Sequence, residues 1–163
     1  MRSHGLPVLI SSCLLGIACR YDGGHSKVEE LIAKAQDLHL IPICPEQVGG
    51  LPTPRSPVTI LNGDGRAVLE GHGKVVNSSG QDVTAAFLKG ARDTLRLAEI
   101  SGATTAFLKN KSPSCGLATP YCETDTGYGL GVTAALLTSS GIRVIEIDPQ
   151  HVTKGFIKEL GLL

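Results

Sequence analysis

The chain is predicted to fold as an α/β domain on a mostly parallel sheet, and three observations carry that expectation. Short apolar runs of strand length alternate with longer stretches whose apolar residues recur at helical spacing. Each of the first three runs is followed by a cysteine, Cys13, Cys44 or Cys115, beside turn-forming Gly, Pro or Ser. The 163 residues are 42% hydrophobic and 18% charged, enough apolar material for one core and one domain spanning 1–163.

The first strand covers residues 8–12, a short apolar run closed by turn formers. Met1-Arg2-Ser3-His4 and the run after it imitate a signal peptide. Pro7 and Ser11-Ser12-Cys13 break that run, however, and cleavage would delete the strand, so the segment reads as part of the fold. A turn-rich stretch, Cys19-Arg20-Tyr21-Asp22-Gly23-Gly24, leads to a helix expected to start at Ser26, which has capping-box spacing to Glu29. Val28, Leu31, Ile32, Ala35 and Leu38 form its apolar stripe. Residues 40–44 make the second strand, where Pro42 predicts an edge position.

Residues 45–57 hold four prolines and two glycines. Because this stretch starts at a strand end, it reads as a shaped active-site loop instead of a linker. Runs 58–61 and 67–69 flank Asn62-Gly63-Asp64-Gly65, a hairpin signal. A long helix is expected over 81–100, with Val83, Phe87, Gly90, Ala91, Leu95 and Ala98 on one face and Gly102 as its stop. The third strand is 104–108. A helix over 132–137 stops at Gly141, and a fourth strand covers 142–147. Asp148-Pro149 is expected to open a last helix, with Pro at its first position and Val152, Phe156, Ile157 and Leu160 facing inward. With right-handed crossovers these elements give a three-layer, Rossmann-like α/β fold with a small β-hairpin insertion. Ligands in such folds sit beyond the carboxyl ends of the strands, the edge on which Cys13, Cys44 and Cys115 fall.

Lys+Arg and Asp+Glu both number 15, so the chain lacks the basic excess of a duplex-binding protein. Aromatics make up 4% with no Trp, which argues against a base-stacking platform. No run approaches the roughly 20 apolar residues of a membrane span. Five cysteines, an odd count in a chain that is not a Cys-dense scaffold, predict free thiols in a reducing, cytoplasmic compartment. The expected partner is a small molecule, not a nucleic acid duplex or a membrane, and the expected state is a monomer or weak homo-oligomer.

Three cysteines at strand ends fit convergence better than burial as small hydrophobes. Closed zinc sites favour C-x2-C pairs, which are absent here. An iron–sulfur cluster accepts ligands from separate loops, and three thiolates leave one iron of a four-iron cluster open, as a catalytic site requires. Cys19 and Cys122 supply a fourth ligand or simply pack; spacing does not choose between these. The five histidines lack ligand spacing, and His39 and His72 read as structural or exposed.

Ser12-Cys13-Leu14-Leu15-Gly16, Arg20-Tyr21-Asp22-Gly23-Gly24, Cys44-Pro45-Glu46 and Lys111-Ser112-Pro113-Ser114-Cys115-Gly116 resemble, in order, the signatures of the DUF523 family, which includes the thiouracil desulfidases. The resemblance extends over Asp82-Val83-Thr84, Phe87 and residues 129–137, so it covers nearly the whole chain. It implies a [4Fe-4S] cluster held by Cys13, Cys44 and Cys115, with no ligand role for Cys19 or Cys122. It further implies that the open iron takes the thione sulfur of a 2-thiouracil-type pyrimidine, as free base or nucleotide. Glu46 matches the acid/base, and Ser112 the partner in substrate activation or proton transfer. Ser12, Tyr21, Asp22 and Ser114 are the expected substrate-contacting residues.

The implied chemistry is sound on its own terms. A thione sulfur is soft and suits iron in a sulfide cluster. Coordination draws electrons from the C–S bond and opens the carbon to water, while a carboxylate two residues from Cys44 takes the water's proton. The product is the oxo pyrimidine, sulfur leaves as sulfide, and no electron donor is needed. Ser114 also reads as a turn former, and Arg20 with Asp22 as a loop-shaping ion pair. Lys109 and Lys111 either neutralise the cluster or ligand or are solvated charges. Two alternatives stand beside this reading: a persulfide-forming thiol sulfurtransferase, and a non-enzymatic cluster-binding module.

Overall fold

The computed structural model describes residues 5–153 and 155–161. In chain order the strands are β1 (Pro7–Ser11), β2 (His39–Ile43), β3 (Val58–Leu61), β4 (Lys74–Asn77), β5 (Thr105–Lys109) and β6 (Arg143–Ile147). The helices are α1 (Glu29–Ala33), α2 (Pro45–Val48), α3 (Gly65–Leu69), α4 (Thr84–Ser101), α5 (Val132–Ser139) and α6 (Phe156–Glu159), with a 3-10 turn at Ser12–Leu15. Four strands form a parallel sheet in the order β2-β1-β5-β6, and β3 with β4 forms a separate antiparallel pair.

Alternation along β1 produces three layers. Val8 and Ile10 pack on one face with Leu31 of α1 and Ile157 of α6. Leu9 packs on the other with Ala98 of α4 and with Ala134 and Leu137 of α5. Leu9 and Ile10 are both 0% exposed, so truncating either to Ala costs about 2–5 kcal/mol. Pro42 lies opposite Ile10 on the edge strand, where its missing N–H leaves no gap between two strands. The chain leaves β1 toward β2 on one side and β5 lies on the other, so the switch point falls beside the loops carrying Cys13 and Cys115.

Three sequence expectations are corrected. Ser26 does not cap α1: the helix starts at Glu29 behind Val28, and the Ser26 hydroxyl accepts instead from Arg20 Nη1 at 2.8 Å. The hairpin partner of β3 is Lys74–Asn77, not 67–69. Asp64 accepts from the Arg66 amide at 3.0 Å and so caps α3, turning residues 65–69 helical. Asp148-Pro149 forms a turn, closed by Gln150 N donating to Asp148 Oδ1 at 3.0 Å, and α6 begins only at Phe156. Val152, Phe156, Ile157 and Leu160 nonetheless pack inward. Gly102 ends α4 at φ 73°, the left-handed stop its position predicts.

The loop after β2 docks on α4 through two glycines. A Cβ on Gly90 would lie 2.0 Å from the Pro45 carbonyl oxygen, and one on Gly49 would lie 2.1 Å from that of Ala86. This close approach fixes α2, and hence Glu46, against the long helix. Among the described residues, no helix is long and apolar enough to cross a membrane.

Candidate active site

Parallel strands deliver their carboxyl ends to one edge, and there three loops meet. Cys13 lies on the 3-10 turn after β1, Cys44 is the residue preceding α2 after β2, and Cys115 follows β5. All three are free thiols lining one cavity of about 270 Å³. Cys19 lines it too, whereas Cys122 packs under β3 and donates to the Thr119 carbonyl at 3.4 Å. Among the described residues, no three ligand side chains sit close enough to share a single metal ion. A cubane cluster holds its thiolates farther apart, each on its own iron, and an all-sulfur donor set suits iron–sulfur chemistry. The three cavity thiols therefore fit a cluster.

The Cys115 turn is braced from both sides. Ser112 Oγ accepts from the amides of Ser114 at 3.2 Å and Cys115 at 3.0 Å. Glu146 of β6 accepts from Leu117 N at 2.6 Å. Gly131 approaches so closely that a Cβ there would lie 2.6 Å from the Ser114 carbonyl. Burial pushes the Cys115 thiol up to about 11, against hydrogen bonds from Ser11 and Ser114 that pull it down. Cys19 is pushed up to about 11, chiefly by a hydrogen bond with the Cys13 thiol. Cys44 is raised, first by its hydrogen bond with Cys19 and then by burial. Without a metal these thiols keep their protons at neutral pH, and metal binding would release those of the expected ligands Cys44 and Cys115.

Glu46 on α2 reaches the same cavity and is held at both oxygens. Arg55 Nε donates to Oε2 at 2.6 Å, and Ser114 Oγ donates to Oε1 at 2.9 Å. The side chains of Arg55 and Glu46 are 7% and 13% exposed. Arg55 also donates from Nη2 to the Cys19 carbonyl at 3.0 Å, and from Nη1 to Thr53 Oγ1 at 3.1 Å. One guanidinium thus ties the Cys19 loop to the loop after Cys44.

Ser12 is buried on the cavity wall, and Tyr21, 45% exposed, lines the same cavity with the Arg20 guanidinium 6.0 Å from its ring centroid. Asp22 is not on the wall. It pairs with Arg20 at 3.6 Å and accepts from Gly24 N at 2.9 Å, which shapes the loop. Ser114, not Ser112, makes the direct contact with Glu46; Ser112 Oγ lies 3.1 Å behind, against Ser114 Oγ. Lys109 and Lys111 both line the cavity, and burial, followed by the charge of Arg20, holds Lys109 below the usual lysine value. Arg55 is the site residue that the sequence pattern did not single out, and Cys19, left open there between ligand and packing residue, lies on the cavity wall. The available signals were a lone cation in a proline-rich loop opening at a strand end, and a cysteine only six residues from Cys13.

The fold and this cavity define an α/β protein with a cysteine-lined pocket at its switch point. The profile of the 2-thiouracil desulfurase family matches residues 8–148, and the chain belongs to that family. It is 45% identical over 141 residues to the uncharacterized protein YbbK of Bacillus subtilis (strain 168), an alignment spanning 85% of this chain and 93% of that protein. Among solved structures it is similar to the [4Fe-4S]-dependent thiouracil desulfidase TudS, with a TM-score of 0.76 and 35% identity over 97% of this chain and 99% of that one.

Proposed function

We propose that this chain is a [4Fe-4S]-dependent desulfidase that converts a thiolated pyrimidine of the 2-thiouracil type to its oxo form with release of sulfide. The observation that carries the reading is the meeting of Cys13, Cys44 and Cys115 with the Glu46–Ser114 pair in one cavity. Family membership and the likeness to TudS support it. Cys13, Cys44 and Cys115 would hold the cluster. When bound, it supplies an iron without a protein ligand as a Lewis acid for the soft thione sulfur.

The remaining work falls to side chains. Glu46 is oriented by one donor on each oxygen and keeps further lone pairs for water, so it acts as general base on the water that attacks the thiocarbonyl carbon and returns that proton to the leaving sulfur or the heterocycle. Ser114 is its direct relay, and Ser112 holds the turn and stands second in the hydroxyl chain. Ser12 and Tyr21 contact the heterocycle from the wall, and Asp22 acts through Arg20. No electron donor enters the balance: water is consumed and the oxo pyrimidine and sulfide are formed. The substrate class in this reading is a thiolated free base or nucleotide, and the free thiols suit a reducing cytoplasm.

Glu46→Gln tests the assignment. The anaerobically loaded variant should keep the cluster absorbance and lose sulfide release from 2-thiouracil by about 10²–10⁴-fold, the usual weight of a general base. Unchanged release would remove Glu46 from the mechanism.

A further inference from the structure

Lys109 ends β5 at the cavity, with its amide donating to Ser11 Oγ at 3.0 Å and so tied to the loop of Cys13. Its ammonium is half-buried and finds only neutral acceptors, the Asn110 carbonyl at 3.1 Å and Asn110 Oδ1 at 3.4 Å. Among the described residues, no carboxylate lies within ion-pair distance of it. The other cations of the cavity differ. Arg55 is matched by Glu46 and Arg20 by Asp22, while Lys111 is exposed to water. The charged and titratable groups that act on Lys109 are Arg20 and Lys111, which repel it, and the thiols of Cys13 and Cys115, which as thiolates attract it. A desolvated cation facing other cations is costly unless an anion completes the site.

We propose that Lys109 is the counter-cation of the loaded site, set against the Cys13 and Cys115 thiolates to offset the negative charge that cluster binding brings into the cavity. This rests on the desulfidase reading, in which those two residues are ligands. Net charge near an iron–sulfur cluster is one of the levers on its reduction potential. The one-electron potential therefore reports the role of Lys109 even though the proposed reaction uses no electrons.

The experiment compares wild type, Lys109→Met, Lys109→Gln and Lys109→Arg after anaerobic reconstitution, by iron content, cluster midpoint potential and melting of the cluster-free chain. The expected result is full iron in every chain, a more negative potential in the Met and Gln variants, and a potential near wild type with Arg. Met or Gln variants that melt like wild type yet fail to load, with loading restored by Arg, would support the same role. A fully loaded Lys109→Met with the wild-type potential overturns it. Loss of loading in all three variants also overturns it, because packing and not charge would then be the requirement. A wild-type chain that takes up no iron overturns the desulfidase reading itself, an outcome distinct from the others.

Discussion

Arg55 Nε and Glu46 Oε2 lie 2.6 Å apart with both side chains nearly buried, and the same guanidinium holds the Cys19 carbonyl. Breaking such a pair from one side leaves a carboxylate without its partner. Arg55→Met should destabilise the chain by about 3 kcal/mol and remove most turnover. Arg55→Lys, which keeps the charge but lacks the fork, should recover only part of each. Urea unfolding and sulfide release measured on the same samples check this.

The two serines of the Cys115 turn should separate. Ser112→Ala strips the acceptor from two backbone amides, at about 1–3 kcal/mol for groups left unpaired, and should loosen cluster retention. Ser114→Ala removes the donor to Glu46 Oε1 and should lower kcat while iron content holds. Iron analysis beside turnover distinguishes the two, and matching phenotypes would contradict the division of labour.

The packing of α2 on α4 predicts a remote effect. A methyl at residue 90 would lie 2.0 Å from the Pro45 carbonyl oxygen, so α2 must move. Gly90→Ala should cost about 1–3 kcal/mol of stability, and by displacing Glu46 it should cut turnover from a position outside the cavity wall. Thermal melts and kcat test it.

Stability of the cluster-free chain should fall at alkaline pH. Burial pushes Cys115 from the ordinary 9.0 to about 11. Between those values the unfolded thiol has lost its proton while the folded one retains it. The unfolded state then binds fewer protons, and stability drops as pH rises. The contribution is fully present below about pH 9 and is lost as pH climbs through about 11. Melting temperatures across that window should decline, and less steeply in Cys115→Ala.

Much of this architecture was legible in the sequence because hydrophobic period and punctuation encode it locally. The strands after which Cys13, Cys44 and Cys115 fall, the edge position of Pro42 and the stop at Gly102 all follow from residue type and spacing. What escaped depends on competition between local options or on contacts distant in sequence. Asn62-Gly63 signals a hairpin, yet Asp64 captures the Arg66 amide and starts a helix first. Ser26 has the right spacing for a cap, but its hydroxyl is claimed by Arg20. Which serine touches Glu46, and that Arg55 clamps it, follow from how the loops pack, and no short-range pattern specifies that.

The most direct test of the central claim is anaerobic iron and acid-labile sulfide content, with sulfide release from 2-thiouracil, on wild type and on Cys13→Ala, Cys44→Ala and Cys115→Ala. The account predicts about four irons and four sulfides per wild-type chain, the cubane stoichiometry, with cluster and turnover lost together in each variant. A wild-type chain that stays free of iron after reconstitution, or a variant lacking one of the three thiols that still loads and turns over, would contradict it.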